Sequence, residues 1–214
     1  MAKILGLDPS LTQFGWALHD DEASTPKERC IKRGRFKTTS KQLFVDRYTE
    51  LRDNLYALIE EHKPDTMGIE YPVFNNLYSE GMYGLFLYSC EAIRKAKQDV
   101  VFFSPLQIKA TARNVLNRPK GWKMMKGDMV QAAQADAGGG RWNHNEADAY
   151  WCAVHAARFW RFFNEDITEA ELTKVEQKQF AKIHTYVRGA KAGTTVKTGI
   201  THREDERFFR WSKT

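Results

Sequence analysis

Three acidic residues in this chain of 214 residues stand where carboxylates can do chemistry. Asp8 ends a short apolar run over residues 4–7, and Glu70 ends another over 66–69. Asp148 lies in the string Asn145-Glu146-Ala147-Asp148-Ala149, which opens an apolar helical stretch. An acid at the end of a buried strand is costly to desolvate, so it calls for a cation or strong hydrogen bonds. Strands that run in parallel bring their carboxyl ends to one rim, where open sheets carry their ligand sites. The amino end of a helix beside that rim adds its dipole. Three carboxylates converging there form a hard, anionic oxygen site suited to Mg2+. Two such ions about 4 Å apart can activate a water and stabilise a leaving oxygen in phosphodiester hydrolysis, without a nucleophilic side chain. Each acid alone has another use: Asp8 before Pro9-Ser10 can shape a turn, Glu70 can sit in a salt bridge, and Asp148 can be a first-turn helix acid. No Ser-His-Asp or Cys-His arrangement competes as a nucleophile.

The elements that must position these acids follow from periodicity. Residues 4–7 read as a strand closed by Asp8-Pro9-Ser10, 14–19 as a second strand, 20–26 as a polar hairpin connection, and 30–38 as a third strand with one solvated face. Ser40 is placed to cap a helix in which Leu43, Val45, Tyr48, Leu51, Leu55, Leu58 and Ile59 keep helical spacing up to Lys63-Pro64. Next come a strand over 66–71 stopped by Pro72, a helix over 79–97, a strand over 100–103 and a helix from 105 to about 116. Helices over 123–137, ended by Gly138-Gly139-Gly140, and over 146–163 complete the pattern. Three strands with short links form an antiparallel meander, and later strands separated by helices add in parallel. The expected fold class is therefore α/β: a mixed five-stranded sheet flanked by helices, over residues 1–163. Residues 164–214 read as a basic C-terminal extension, with a helix over 168–184, a Gly/Thr/Lys-rich stretch over 189–199, and a charged end containing Phe208, Phe209 and Trp211. Such a segment is expected to order only in part, with a partner.

Hydrophobic residues at 42% and aromatics at 13% exclude a disordered chain. A net charge of +6 suits a polyanionic partner. Cys30, Cys90 and Cys152 are odd in number and far apart, which excludes a disulfide framework or a zinc knuckle and reads as reduced thiols of a cytosolic protein. Neither a signal-peptide pattern nor a membrane span is evident, so the cytoplasm is the expected compartment and no membrane partner is expected.

The string Ile4-Leu5-Gly6-Leu7-Asp8-Pro9-Ser10, followed by Gly15-Trp16-Ala17, resembles the first strand and hairpin of RuvC-like Holliday junction resolvases, members of the RNase H-like superfamily. Met67-Gly68-Ile69-Glu70 resembles their second acidic strand, and Asn145-Glu146-Ala147-Asp148-Ala149-Tyr150 their closing acidic helix. The resemblance covers residues 1–163 and does not reach 164–214. It implies an RNase H-like fold and a homodimer on a four-way DNA junction. It also implies paired nicks leaving 5′-phosphate and 3′-hydroxyl ends, and two Mg2+ ions per site, replaceable by Mn2+, held by Asp8, Glu70 and Asp148. No small-molecule cofactor is implied. The family's fourth ligand falls one helical turn before the last Asp, which is Asn145 here, a departure from the two-acid form, with His144 beside it. Glu146 points about a third of a turn away.

The family also places basic residues near the scissile phosphate. Pro105-Leu106-Gln107-Ile108-Lys109 resembles the helix start that carries one, and Lys123-Met124-Met125-Lys126 the segment that carries the other, with Lys126 preferred to Lys123. Lysines on a solvated helix face are the plain alternative. Phe74 and Asn75, in the loop after Glu70, could meet an unpaired base at a junction, or the aromatic could pack between subunits. Arg33 and Arg35, with Arg29, Lys32 and Lys37, could track a phosphate backbone or simply protect an edge strand. The unmatched tail and the altered last motif fit a bacteriophage source, which would place the protein in a host cytoplasm.

Three rival readings stay open. An actin-like sugar kinase also opens with Gly-x-Asp, but needs a second lobe and phosphate-binding glycine loops. A non-catalytic module could recognise branched nucleic acid by shape, although three acids facing phosphate would hinder it. The same chemistry could act on flaps, forks, R-loops or RNA–DNA hybrids.

Overall fold

Successive side chains of a strand point to opposite faces, and in the central strands this alternation separates large residues from small ones. In β1 (Lys3–Asp8), Leu5 and Leu7 are buried on one face while Ile4, Gly6 and Asp8 share the other. In β4 (Thr66–Glu70), Met67 and Ile69 take the first face and Thr66, Gly68 and Glu70 the second. The computed structural model describes residues 2–71 and 79–180, with three short strands beyond, 183–185, 195–197 and 208–209.

β1 pairs antiparallel with β2 (Gln13–Asp20), which pairs antiparallel with β3 (Cys30–Lys37). On its other side β1 pairs in parallel with β4, and β4 in parallel with β5 (Val100–Phe103). This is the expected mixed sheet, with one addition: β8 (Phe208–Phe209) lies antiparallel on β5, so the strand order is β3-β2-β1-β4-β5-β8.

Helices α2 (Phe44–His62) and α3 (Ser79–Lys95) cover the leucine face. The glycine face carries α4 (Pro105–Val115), α5 (Lys126–Ala137) and α6 (His144–Phe163). Several boundaries differ from expectation, among them the start of α5, at Lys126 rather than residue 123. The N-cap of α2 is Leu43 rather than Ser40. The presumed hairpin connection contains the single helical turn α1 (Pro26–Arg29), begun by Thr25 and Pro26. α6 starts two residues early because the Asn143 side chain accepts from the Asn145 N–H at 2.9 Å.

Helix α6 rests on the sheet's backbone rather than on side chains. A Cβ added at Gly6 would lie 1.9 Å from the Ala149 carbonyl oxygen, one at Gly15 2.2 Å from that of Asn145, and one at Gly68 2.4 Å from that of Cys152. Gly6 is in register with Gly68, and Gly15 with Asp8, so the three glycines form one track across β2, β1 and β4. Ala149, Ala153 and Ala156 of α6 fill it.

The tail departs from the expected helix over 168–184. Two successive Thr-x-x-Glu capping boxes interrupt it: Thr168 with Glu171, and Thr173 with Glu176. The first opens a 3-10 turn (Glu169–Glu171) and the second opens α7 (Lys174–Phe180). Beyond it, Ile183 and Thr185, both β-branched, lie in β6 (Ile183–Thr185), paired antiparallel with β7 (Thr195–Lys197). Packing does not stop at 163, because Ile167, Leu172 and Phe180 are buried in the same core as α6.

Candidate active site

The two-residue alternation that puts Gly6 and Gly68 under α6 also points Asp8 and Glu70 toward it, at the carboxyl ends of adjacent parallel strands. The close approach of α6 then sets Asp148 beside them. The three acids line one cleft of about 290 Å³ together with Lys109 from α4 and Lys126 from the first turn of α5. His144, Asn145, Ser10 and Met129 complete its wall. The loop carrying Ser10 is pinned from behind by buried Arg47, whose guanidinium donates to the Leu11 carbonyl and the Thr38 hydroxyl, each at 2.9 Å.

Burial dominates the electrostatics. It pushes the Asp8 carboxyl well up, and Glu70 and Asp148 push it further, against the opposing charge of Lys126. Burial and then Asp148 lift Glu70 to about 7, opposed by Lys109. Burial lifts Asp148 to about 6, opposed by Lys109 and Lys126. The Asp148 Oδ1 atom is buried without a hydrogen-bond partner among the described residues. Such an atom calls for a cation, and an all-oxygen acidic donor set with imidazole and amide at its edge fits Mg2+ or Mn2+. Burial, then Lys126 and Arg35, lower the His144 imidazole from its ordinary value, which favours the neutral form that binds metals.

The remaining expected residues separate clearly. Lys123 is exposed and absent from the cleft, whereas Lys126 lines it. Glu146 faces away, accepting from Arg35 at 3.2 Å and pairing with Arg33 at 3.4 Å. Arg33 also lies 3.8 Å over the Trp142 ring, and Arg35 donates to the Gln13 side chain. Both arginines therefore hold the amino end of α6 to the sheet. The Asn145 side chain donates to the Gln13 carbonyl, which ties the same end to β2. Asp148 is not a first-turn acid; Glu146 takes that place. Phe74 and Asn75 lie outside the described residues. Sequence reasoning missed Ser10 and Met129 in the wall, and it missed the glycine track, whose signal was Gly6, Gly15 and Gly68 facing an alanine-rich helix.

The family model for crossover junction endodeoxyribonuclease RuvC matches residues 4–116, more than half of the chain. The chain belongs to the RuvC family. The matched stretch contains Asp8, Glu70 and Lys109, while Lys126 and Asp148 lie beyond it. RuvC of Caulobacter vibrioides is 37% identical over 68 residues, 32% of this chain and 39% of that protein. RuvC of Alkaliphilus metalliredigens is 30% identical over 108 residues, 50% of this chain and 65% of its own length. The chain thus matches less than two thirds of the length of either relative. Among solved structures, Thermus thermophilus RuvC in complex with a Holliday junction substrate superposes with a TM-score of 0.62 at 16% identity, covering 74% of this chain and 94% of that one. Thermus thermophilus RuvC in a second structure gives 0.60 at 18% identity, covering 72% and 93%. The fold is therefore the RNase H-like one of RuvC. Among the described residues no helix is long and apolar enough to cross a membrane.

Proposed function

We propose that this RuvC-family chain is a metal-dependent endonuclease that resolves Holliday junctions and other branched DNA by phosphodiester hydrolysis. The observation that carries the reading is the half-buried trio Asp8, Glu70 and Asp148 lining one cleft with Lys109 and Lys126, and an Asp148 oxygen that has no hydrogen-bond partner among the described residues. Divalent ions bound there, two Mg2+ with Mn2+ as a substitute, would supply an activated water and offset charge on the leaving oxygen. Asp8, Glu70 and Asp148 would hold them, with Asn145 or His144 as the further ligand. Lys109 and Lys126 would hold the phosphate and take up the charge that develops on it. Cleavage would leave 5′-phosphate and 3′-hydroxyl ends. A homodimer would present two such clefts to one junction and make paired nicks. Discrimination would rest on DNA shape and backbone contacts more than on bases. A bacteriophage source and action in a host cytoplasm belong to the same proposal, as does a role for 164–214 as an appendage to the nuclease domain 1–163.

The deciding experiment is cleavage of a labelled synthetic four-way junction beside linear duplex, fork and RNA–DNA hybrid, with Mg2+ or EDTA. Paired junction nicks that need Mg2+ are expected. Tight junction binding without cutting would favour a binding module, and preferred cutting of the fork or hybrid would change the substrate. Single-turnover cleavage by Lys126→Ala is expected to fall about 100-fold, the scale of one lost transition-state donor. Lys123→Ala is expected to lose no more than about fivefold, as for an exposed ion contact. The reverse ranking of the two variants would assign the phosphate to Lys123.

A further inference from the structure

The linker between α4 and α5, residues 116–125, carries side chains that the cleft does not use. It joins the two helices that place Lys109 and Lys126, so both of its ends are fixed relative to the acids. It turns at two left-handed positions, Asn117 (φ 50°) and Gly121 (φ 93°), and is anchored inward by buried Met124. Trp122 is left 44% exposed on its surface.

The indole is nevertheless held. The Trp122 backbone N–H donates to the Pro119 carbonyl at 3.0 Å. Its ring N–H lies 3.5 Å from Asp128 Oδ2, an oxygen that also accepts from the Met125 N–H at 2.8 Å. Those bonds tie the ring to the first turn of α5, the same turn that carries Lys126, and a turn rises only about 5.4 Å. The Arg118 guanidinium sits 5.0 Å from the ring centroid. Its Nε is buried and has no hydrogen-bond partner among the described residues. Lys120 and Lys123, two residues before and one after Trp122 in the linker, are exposed.

A half-exposed ring held by its edge and backed by a guanidinium, with exposed lysines close by in the linker, matches what an unstacked nucleotide offers. Any base presents a π-face to the ring, and its phosphates suit the cations. We propose that Trp122, with Arg118, is a stacking platform for an unpaired base next to the phosphate held in the cleft. The linker then selects DNA whose bases are splayed at a branch, because a continuous duplex keeps its bases stacked and offers this surface only its backbone. The inference rests on the nuclease reading of the cleft.

The test measures affinity of the full chain for a four-way junction and for a linear duplex of equal length, with Ca2+ replacing Mg2+ to hold off cleavage. Trp122→Ala is expected to weaken junction binding about tenfold, within the roughly 1–3 kcal/mol of one base–aromatic contact, and duplex binding less than about twofold. Trp122→Phe should retain most of the affinity, because it keeps a π-face. A 5-iodouracil at the branch point should photocrosslink to Trp122, and one in mid-arm should not. No loss in Trp122→Ala, or equal loss on both DNAs, would overturn the platform. Failure of the nuclease reading shows differently: wild type would then leave the junction uncut when Mg2+ replaces Ca2+, whatever its affinity and whatever stands at position 122.

Discussion

Asp8→Asn is expected to lower junction cleavage by at least about 1,000-fold and, in metal-free buffer at pH 8, to raise folding stability. The two effects share a cause. Asp8, Glu70 and Asp148 are lifted chiefly by burial, Asp8 also by the charges of Glu70 and Asp148, and Glu70 also by that of Asp148. A carboxyl lifted in the fold keeps its proton after the unfolded chain has lost its own. Stability from that group is therefore present at low pH and drains away as pH rises from the ordinary carboxylate range to the folded value. For Glu70, held near 7 rather than 4.5, the penalty at pH 8 is about 3 kcal/mol. Asn at position 8 removes the carboxyl that burial, Glu70 and Asp148 together push up.

Asp21 and Glu176 work the other way, since the contacts of His19 and Arg158 outweigh their burial and lower them. The informative quantity is therefore the difference between wild type and Asp8→Asn in denaturant stability at pH 5 and pH 8. Wild type should lose more between the two values. Mg2+ should restore it at pH 8 and release protons near pH 7, readable by calorimetry in buffers of different ionisation enthalpy. A wild type that gains on Asp8→Asn from pH 5 to pH 8 without metal would contradict the linked site.

Gly6→Ala is expected to destabilise the protein by about 3 kcal/mol or more, at the upper end of overpacking costs. The added methyl would meet the Ala149 carbonyl oxygen at 1.9 Å and the Ala153 nitrogen at 2.5 Å. These are backbone atoms that cannot swing aside, so α6 must lift and carry Asp148 away from Asp8. Surviving folded protein should lose Mg2+ affinity along with stability. Gly127→Ala is the control: nothing lies within 4 Å of the new methyl, and Ala suits a helix better than Gly by up to about 1 kcal/mol. Equal melting temperatures for the two variants would show that α6 does not rest on the track.

Local signals read well where one face of an element meets the core. The strands β1 and β4 were legible as short apolar runs closed by Asp8-Pro9-Ser10 and by Pro72, and α2 by its apolar stripe, which repeats with the helix's own period. β5 was legible as four apolar residues stopped by Ser104-Pro105. The single helix expected over 168–184 is cut because the pair of Thr-x-x-Glu boxes outweighs the apolar spacing. The pairing of Phe208–Phe209 with β5 joins residues over 100 positions apart and leaves no local trace.

Residue types and strand ends alone put Asp8 and Glu70 on one rim, since side-chain alternation and parallel register are local properties. The same information made Lys109, Lys126, Arg33 and Arg35 equal as cations. Their separation into two that face the cleft and two that clamp Glu146 came from the path of α6. That path is set by three glycines from three strands, which meet only when the sheet forms. Close packing of backbone on backbone is a long-range condition, and chemistry that depends on it is settled by the fold as a whole.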